Sequence, residues 1–335
     1  MMTSAFARFG LFGRLTDRGD PRRVVLVAAL LVLLGGVFPA YLGIELTRGL
    51  SVAPRSTHGA GISLADLMAS FSRSGFDLAE RSAAPLMVPR VFAASLPHDW
   101  RDLRDAGERK HAFTTTLLPL VLRANEMLLE RRRRLLGIAA QVAKGERVPD
   151  RDRAWIEALA ARYGTEAPEI TEKLLNTLKR LVDIVPPSLA IAQAAIESGW
   201  GTSRFAAEGN ALYGQWAEEG EGAMVPAERD EGRTYAIKRF ETLQDSVLAY
   251  MHNLNTHRAY RAFRAARADM RGHGRPITGA ALTKYLKAYS ARGDGYIRDL
   301  TRIIAQNDLG ALDGAALRAG RGKDLVTASG PAPRA

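Results

Sequence analysis

The stretch at residues 190–202, "AIAQAAIESGWGT", begins with small and apolar residues and contains a single carboxylate. Glu197 follows apolar neighbours and directly precedes Ser-Gly-Trp-Gly. Apolar surroundings and a position near a helix C-terminus both disfavour the ionised form, so they raise the pKa of a carboxyl group. A carboxylic acid that stays protonated near neutral pH can act as a general acid. The alternative is a solvated or salt-bridged residue at a helix end.

The residues required for several other chemistries are missing from the sequence. The chain has no cysteine, which excludes thiolate nucleophiles, disulfides and Cys-ligated metals. His252 and His257 are five residues apart, whereas two metal ligands on one helical face are typically four apart. No histidine stands in a recognisable relation to Ser198, so a serine nucleophile is not indicated. We therefore expect no metal and no cofactor.

Helix and turn signals predict the elements that position Glu197. Its helix should follow the Pro-Pro pair at 186–187 and end at Gly199. Residues 222–240 place an Asp-Glu-Gly turn between two short extended arms, which predicts a small β-hairpin. Helical patterns resume over 242–309.

The sequence "LAIAQAAIESGWGTSRFAAEGNALYGQW" resembles the catalytic-helix signature of the exported glucosaminidases, which are glycoside hydrolases of the bacterial wall. Their motif runs Gln-x-x-x-Glu-Ser-Gly-Trp-Gly and then Asn-x-Leu-Phe/Tyr-Gly. The resemblance continues through "FETLQDSVLAYMHNLNTHRAY" and "LKAYSARGDGYIRDL" and covers residues 186–309. The upstream stretch "ERKHAFTTTLLPLVLRANEMLLERRRRL" is similar to the Bax-type branch, whose members place a helical segment before the catalytic part.

The resemblance implies a predominantly helical, lysozyme-like α+β fold with a small β-hairpin lobe. It also implies cleavage of β-1,4 bonds after N-acetylglucosamine in peptidoglycan. Glu197 would then protonate the glycosidic oxygen as the bond breaks. Two alternatives keep the fold: a muramidase or lytic transglycosylase, and a peptidoglycan-binding protein without catalysis.

A second catalytic carboxylate is expected in the hairpin. Some family members carry an acid a few residues before the hairpin turn, and Glu228 stands at a comparable place. Glu231 is the second candidate, and a solvent-facing charge is the alternative for both. If neither reaches the cleft, the acetamido group of the substrate could assist the reaction.

Four further residues are candidates for substrate binding. Tyr289 matches the cleft tyrosine of the family, and Tyr213 could lay its ring against a sugar. Trp200 could cover Glu197, and Asn210 could hold an acetamido group or the adjacent loop. A half-buried core position is the alternative for each aromatic residue.

One apolar segment indicates a membrane location. Residues 24–44 carry no charge over twenty-one residues, which is enough helix to cross a bilayer core of about 30 Å. The alternatives are a cleaved signal peptide and a buried helix. Residues 1–23 contain five arginines against two aspartates, so the positive-inside rule predicts a cytoplasmic N-terminus and an exported remainder. We expect a single-pass protein of the inner membrane with a periplasmic catalytic domain.

The formal net charge is +11, and Arg131–Arg134 form a basic run. No nucleic-acid motif accompanies that run, and glutamates precede it at helical spacing, so we expect no nucleic-acid partner. Anionic lipid or an anionic wall polymer is a more suitable partner for an exported protein.

These observations divide the chain into successive segments. They are a basic cytoplasmic N-terminus (1–23), a transmembrane helix (24–44), a tether (45–95) with one short helix capped by Ser63, a helical accessory segment (96–185), a catalytic domain (186–309) and a disordered tail (310–335).

Overall fold

The computed structural model describes residues 61–80, 85–218, 220, 222–226 and 235–320, of which Glu218 and Tyr235 are described by their backbone alone. The helices in these ranges are α1 (Leu64–Arg73), α2 (Ala106–Ala143), α3 (Asp150–Arg162), α4 (Glu172–Leu181), α5 (Pro187–Ser198), α6 (Arg204–Gly209), α7 (Leu243–Thr256), α8 (Arg261–Gly272), α9 (Gly279–Leu282) and α10 (Asp294–Gln306). The strands are β1 (Met87–Val88), β2 (Trp216–Glu218), β3 (Ala223–Met224), β4 (Tyr235–Lys238) and β5 (Ala316–Leu317). The 3-10 turns are Trp100–Asp102, Arg258–Tyr260, Thr283–Tyr289 and Leu309–Gly314.

Helix α5, which carries Glu197, lies at the centre of the main core. It packs against α2, α10 and the turn Leu309–Gly314. Its small residues explain this position, because Ala190, Ala192 and Ala194 are fully buried and allow neighbouring helices to approach closely. The predicted helix and its end at Gly199 are confirmed.

A second, smaller core is formed where the C-terminal half of α2 packs against α3 and α4. The helical accessory segment predicted over 96–185 therefore has a core of its own, while the first half of α2 contributes to the main core. The two parts meet at the buried Asp183, whose carboxylate pairs with Arg271 at 2.5 Å and with Arg132 at 3.4 Å. Burial alone would raise the pKa of Asp183, but the hydrogen bond from Arg271 and the nearby arginine charges hold it below its usual value.

The β-lobe is a small antiparallel sheet in which β4 lies between β2 and β3. Met224 of β3 and Trp216 of β2 both pair with Ile237 of β4. The two paired arms of the predicted hairpin are confirmed as β3 and β4, whereas its Asp-Glu-Gly turn lies outside the described residues. Strand β2 is a further strand that the sequence pattern did not indicate. Glu228 and Glu231 lie outside the described residues.

The segments predicted as tether and tail contain ordered structure. Ser63 caps α1 by accepting a hydrogen bond from the backbone of Asp66, as predicted. Strand β1 pairs in parallel with β5, with Val88 opposite Leu317, and both side chains are buried. The prediction of a disordered tail is therefore wrong for residues 310–320. Pairing between segments so distant in sequence leaves no local periodicity from which it could be predicted.

The predicted membrane span at 24–44 and the N-terminus at 1–23 lie outside the described residues. Within the part of the chain that the structure describes, none of the helices is both long enough and apolar enough to cross a bilayer.

Candidate active site

The backbone turns sharply directly after Glu197. Gly199, Trp200 and Gly201 all have left-handed conformations, with φ values of 59°, 57° and 82°. Glycine is required at 201, because a Cβ atom there would lie 2.7 Å from Nε1 of the buried Trp100. The turn ends α5 at the edge of the core, and Glu197 as a residue is only partly buried.

The pKa of the Glu197 carboxyl group is raised towards neutral pH. Burial among protein groups raises its pKa from 4.5 to about 7, although a hydrogen bond from Tyr296 and the charge of Arg292 oppose this rise. The sequence predicted the direction of this shift from the apolar neighbours of Glu197. A group with this pKa can both donate and accept a proton near neutral pH.

A chain of buried hydrogen bonds leads to Glu197. The Tyr250 hydroxyl donates to Oε1 of Gln193 at 2.6 Å, and Nε2 of Gln193 donates to the Tyr296 hydroxyl oxygen at 2.9 Å. Because that oxygen already accepts a hydrogen bond, the proton of Tyr296 is available for its hydrogen bond to Glu197. The chain therefore leaves the proton of Tyr296 free for Glu197.

Tyrosine rings from several elements surround this chain. Tyr213 stacks on Tyr250 with centroids 3.9 Å apart, and Tyr289 stacks on Tyr296 at 5.7 Å. Tyr260 contacts Tyr289 at 6.0 Å. Burial raises the pKa of Tyr250, Tyr260 and Tyr289, and the negative charge of Glu197 raises each further. These rings thus lie within electrostatic reach of the carboxylate.

The predicted substrate-binding residues fall into two groups. Tyr289 is half-buried and donates to the carbonyl oxygen of Tyr213 at 3.3 Å, so both belong to the aromatic cluster. Tyr213 itself is only 2% exposed, so it contributes to the site by packing in the core. The next residue, Gly214, borders the carboxylate, since a Cβ there would lie 3.8 Å from Oε2 of Glu197.

Trp200 and Asn210 make their contacts away from the tyrosine cluster. The Trp200 ring meets Phe113 edge-on at 5.6 Å, and Lys110 lies over its face at 5.6 Å. Nδ2 of Asn210 donates to the carbonyl oxygens of Phe240 and Glu241 at 3.2 and 3.0 Å, so it holds the start of α7. Of the two roles expected for Asn210, these contacts support holding the adjacent loop.

Gln193, Tyr250, Tyr260 and Tyr296 were not predicted as site residues, although all lie within the stretches that carry the family resemblance. Gln193 precedes Glu197 by one helical turn, and this spacing indicates that the two side chains share one face of the helix. Among the described residues, no group of three or more acidic or histidine side chains is placed to hold a metal ion.

A partly buried glutamate whose carboxyl pKa lies near 7, beside a cluster of aromatic rings, can supply general-acid catalysis. The family model for glucosaminidases, described as mannosyl-glycoprotein endo-beta-N-acetylglucosaminidase, matches residues 172–309. Protein Bax of Escherichia coli is 36% identical over 216 residues, which cover 64% of this chain and 75% of that protein. The chain therefore belongs to the glucosaminidase family, in its Bax-type branch.

The family match begins at α4, fourteen residues before the predicted catalytic domain starts at 186. Among solved structures, the catalytic domain of the autolysin Auto from Listeria monocytogenes aligns over 55% of this chain and 87% of that chain. The identity is 17% and the TM-score is 0.30, a similarity too low to relate the two folds.

Proposed function

We propose that this protein is an endo-β-N-acetylglucosaminidase that hydrolyses β-1,4 bonds in the glycan strands of peptidoglycan, with Glu197 as the general acid. The observation that supports this proposal best is the pKa of about 7 for the carboxyl group of Glu197, a residue that is only partly buried. Membership of the glucosaminidase family supplies the class of reaction and substrate.

In the proposed reaction, protonated Glu197 donates its proton to the glycosidic oxygen while the bond between that oxygen and the sugar C1 breaks. A water molecule supplies the hydroxyl group that C1 gains, and its second proton passes to a carboxylate, which is Glu197 in a retaining reaction and Glu228 in an inverting one. The carboxylate left on Glu197 is then stabilised by the Tyr296 hydroxyl and by the charge of Arg292. Glu228 or the acetamido group of the substrate would assist at C1.

The experiment is a digestion of purified peptidoglycan by the full-length protein in detergent, followed by mass spectrometry of the released fragments. We expect new reducing ends on N-acetylglucosamine, and we expect Glu197→Gln to release almost none. Reducing ends on N-acetylmuramic acid would instead identify a muramidase, and 1,6-anhydro ends a lytic transglycosylase. Co-sedimentation with peptidoglycan without any fragments would identify a binding protein.

We further propose that residues 24–44 anchor the protein in the inner membrane, with the catalytic domain in the periplasm. Five arginines before the apolar segment support this orientation, and the proposed substrate lies outside the cytoplasm. A reporter that is active only outside the cytoplasm should be active when fused after Ala335. Activity of a cytoplasm-only reporter at the same position would contradict the orientation.

A further inference from the structure

An open pocket of about 660 Å³ lies where α7 passes into α8. It is lined by His257, Arg258, Ala259, Arg261, Ala262 and Ala265. The lining therefore combines two arginines and a histidine with three alanine methyl groups, and it contains no acidic residue. Such a surface suits an anionic ligand that also carries small aliphatic groups.

The two arginines of this pocket are available for a ligand. Arg258 and Arg261 are exposed, and neither forms an ion pair within the described part of the chain. By contrast, Arg271 near the other end of α8 is paired with Asp183 at 2.5 Å. Burial lowers the pKa of His257, and the charges of Arg258 and Arg264 lower it further, which reports a positive potential at the pocket.

The backbone that forms the pocket is fixed by a buried arginine. Arg264 is 7% exposed, and one of its guanidinium nitrogens donates to the carbonyl oxygens of Leu254 and His257 at 2.9 and 2.8 Å. These bonds tie the end of α7 to α8 and hold the turn that carries Arg258. The backbone beneath the pocket is therefore held in place, which reduces the entropic cost of binding.

The pocket adjoins the candidate active site. The His257 ring contacts the Tyr260 ring at 5.7 Å, and Tyr260 contacts Tyr289 at 6.0 Å. The charge of Glu197 raises the pKa of both tyrosines. A ligand in the pocket is thus separated from the aromatic cluster around Glu197 by the ring of Tyr260.

We propose that this pocket binds the carboxylates of a peptide attached to the glycan, so that the protein prefers peptide-bearing strands. The inference rests on the proposed function, because it takes peptidoglycan as the substrate. The stem peptides of peptidoglycan carry free carboxylates and alanine methyl groups, which match the two arginines and the alanine residues of the lining. Because the pocket adjoins the candidate active site, a peptide attached to the strand being cleaved would lie close to it, which favours such a peptide over a lipid headgroup.

The first test compares the double variant Arg258→Gln/Arg261→Gln with wild type on two substrates, intact peptidoglycan and glycan strands from which an amidase has removed the peptides. A matched control, Arg147→Gln/Arg153→Gln, removes two exposed arginines from the accessory segment. We expect the pocket variant to lose about tenfold in kcat/KM on intact peptidoglycan and nothing on stripped strands. The control should behave like wild type on both substrates.

The second test measures binding without turnover. An isolated stem peptide with free carboxylates is titrated calorimetrically into Glu197→Gln at low salt, with and without the two pocket substitutions. If the peptide binds and the two substitutions abolish that binding, the inference is supported even when neither substrate is cleaved. The absence of cleavage would then count against the proposed function alone. Equal loss on both substrates, loss on neither, or no peptide binding would overturn the inference. Arginine-dependent binding to anionic lipid vesicles but not to the peptide would also overturn it.

Discussion

The hydroxyl group of Tyr296 lowers the pKa of the Glu197 carboxyl group through a hydrogen bond. This bond strengthens when Glu197 becomes ionised, so it favours the charged form that proton donation leaves behind. Burial acts in the opposite direction and dominates, which leaves the pKa at about 7. The balance between these two effects can be tested separately in activity and in stability.

Glu197→Gln should reduce turnover of peptidoglycan by about 10²–10⁴-fold, because the amide keeps the size of the side chain but cannot donate the required proton. Release of soluble glycan fragments measures the effect. Glu208→Gln removes an exposed glutamate of α6 and should stay close to wild type. If Glu197→Gln retained activity within a few-fold of wild type, Glu197 would not be the general acid.

The same substitution should stabilise the fold at alkaline pH. The folded-state pKa of Glu197 is about 7 and its ordinary value is 4.5, so between these values the folded chain holds a proton that the unfolded chain has released. Wild-type stability therefore falls as pH rises through this window, by roughly 3 kcal/mol in total. Glu197→Gln does not lose stability in this way, because the amide does not titrate in this pH range. Urea unfolding at about pH 4 and about pH 8 should show a stability difference that grows with pH, and an unchanged difference would refute the raised pKa.

The rate of the enzyme should fall as pH rises above about 7, since the general acid must be protonated. Tyr296→Phe removes a bond that favours the ionised form, so the alkaline limb of kcat/KM should shift to higher pH. Tyr285→Phe, which removes the hydroxyl of another partly buried tyrosine of the same domain, should leave the limb unchanged. If the alkaline limb of the kcat/KM profile did not shift in Tyr296→Phe, the hydrogen bond would not lower the pKa of Glu197.

Helix α5 and its end could be predicted because their signals are local. A Pro-Pro pair, a run of small residues and Gly199 each act within one or two helical turns. The direction of the Glu197 pKa shift could be inferred from the same residues, since apolar neighbours and the helix C-terminus both disfavour charge.

The aromatic cluster could not be predicted in the same way. Tyr250 and Tyr296 lie on α7 and α10, and only tertiary packing brings both to Gln193. The order of residues 310–320 was missed for a similar reason, because Leu312 and Leu317 are buried by elements far away in sequence. A short stretch with two leucines gives no periodic pattern from which such burial could be inferred.

Asp313, in the segment predicted to be disordered, caps the helix that carries Glu197. Its carboxylate accepts hydrogen bonds from the backbone and hydroxyl of Ser188 at 2.9 and 2.8 Å, and from the Gly279 backbone at 2.8 Å. Asp313→Ala leaves these donors unpaired in a largely buried place, so we expect a loss of about 2–4 kcal/mol in the free energy of unfolding. Glu157→Ala, an exposed acid on α3, serves as the control. A loss below about 0.5 kcal/mol for Asp313→Ala would contradict this role.

The last prediction concerns Glu228 and Glu231, which the sequence places in the connection between β3 and β4. Successive side chains of an extended arm point to opposite faces, so residues three apart should not both face the cleft. Glu228 is the expected second carboxylate, because the apolar arm "AMV" leads into it through Pro226, whereas Glu231 adjoins Gly232 at the expected tip of the turn. Glu228→Gln should therefore strongly reduce glycan release, and Glu231→Gln, its matched control, should change it little. Near-normal rates in both variants would exclude Glu228 from the site and would favour assistance by the acetamido group of the substrate.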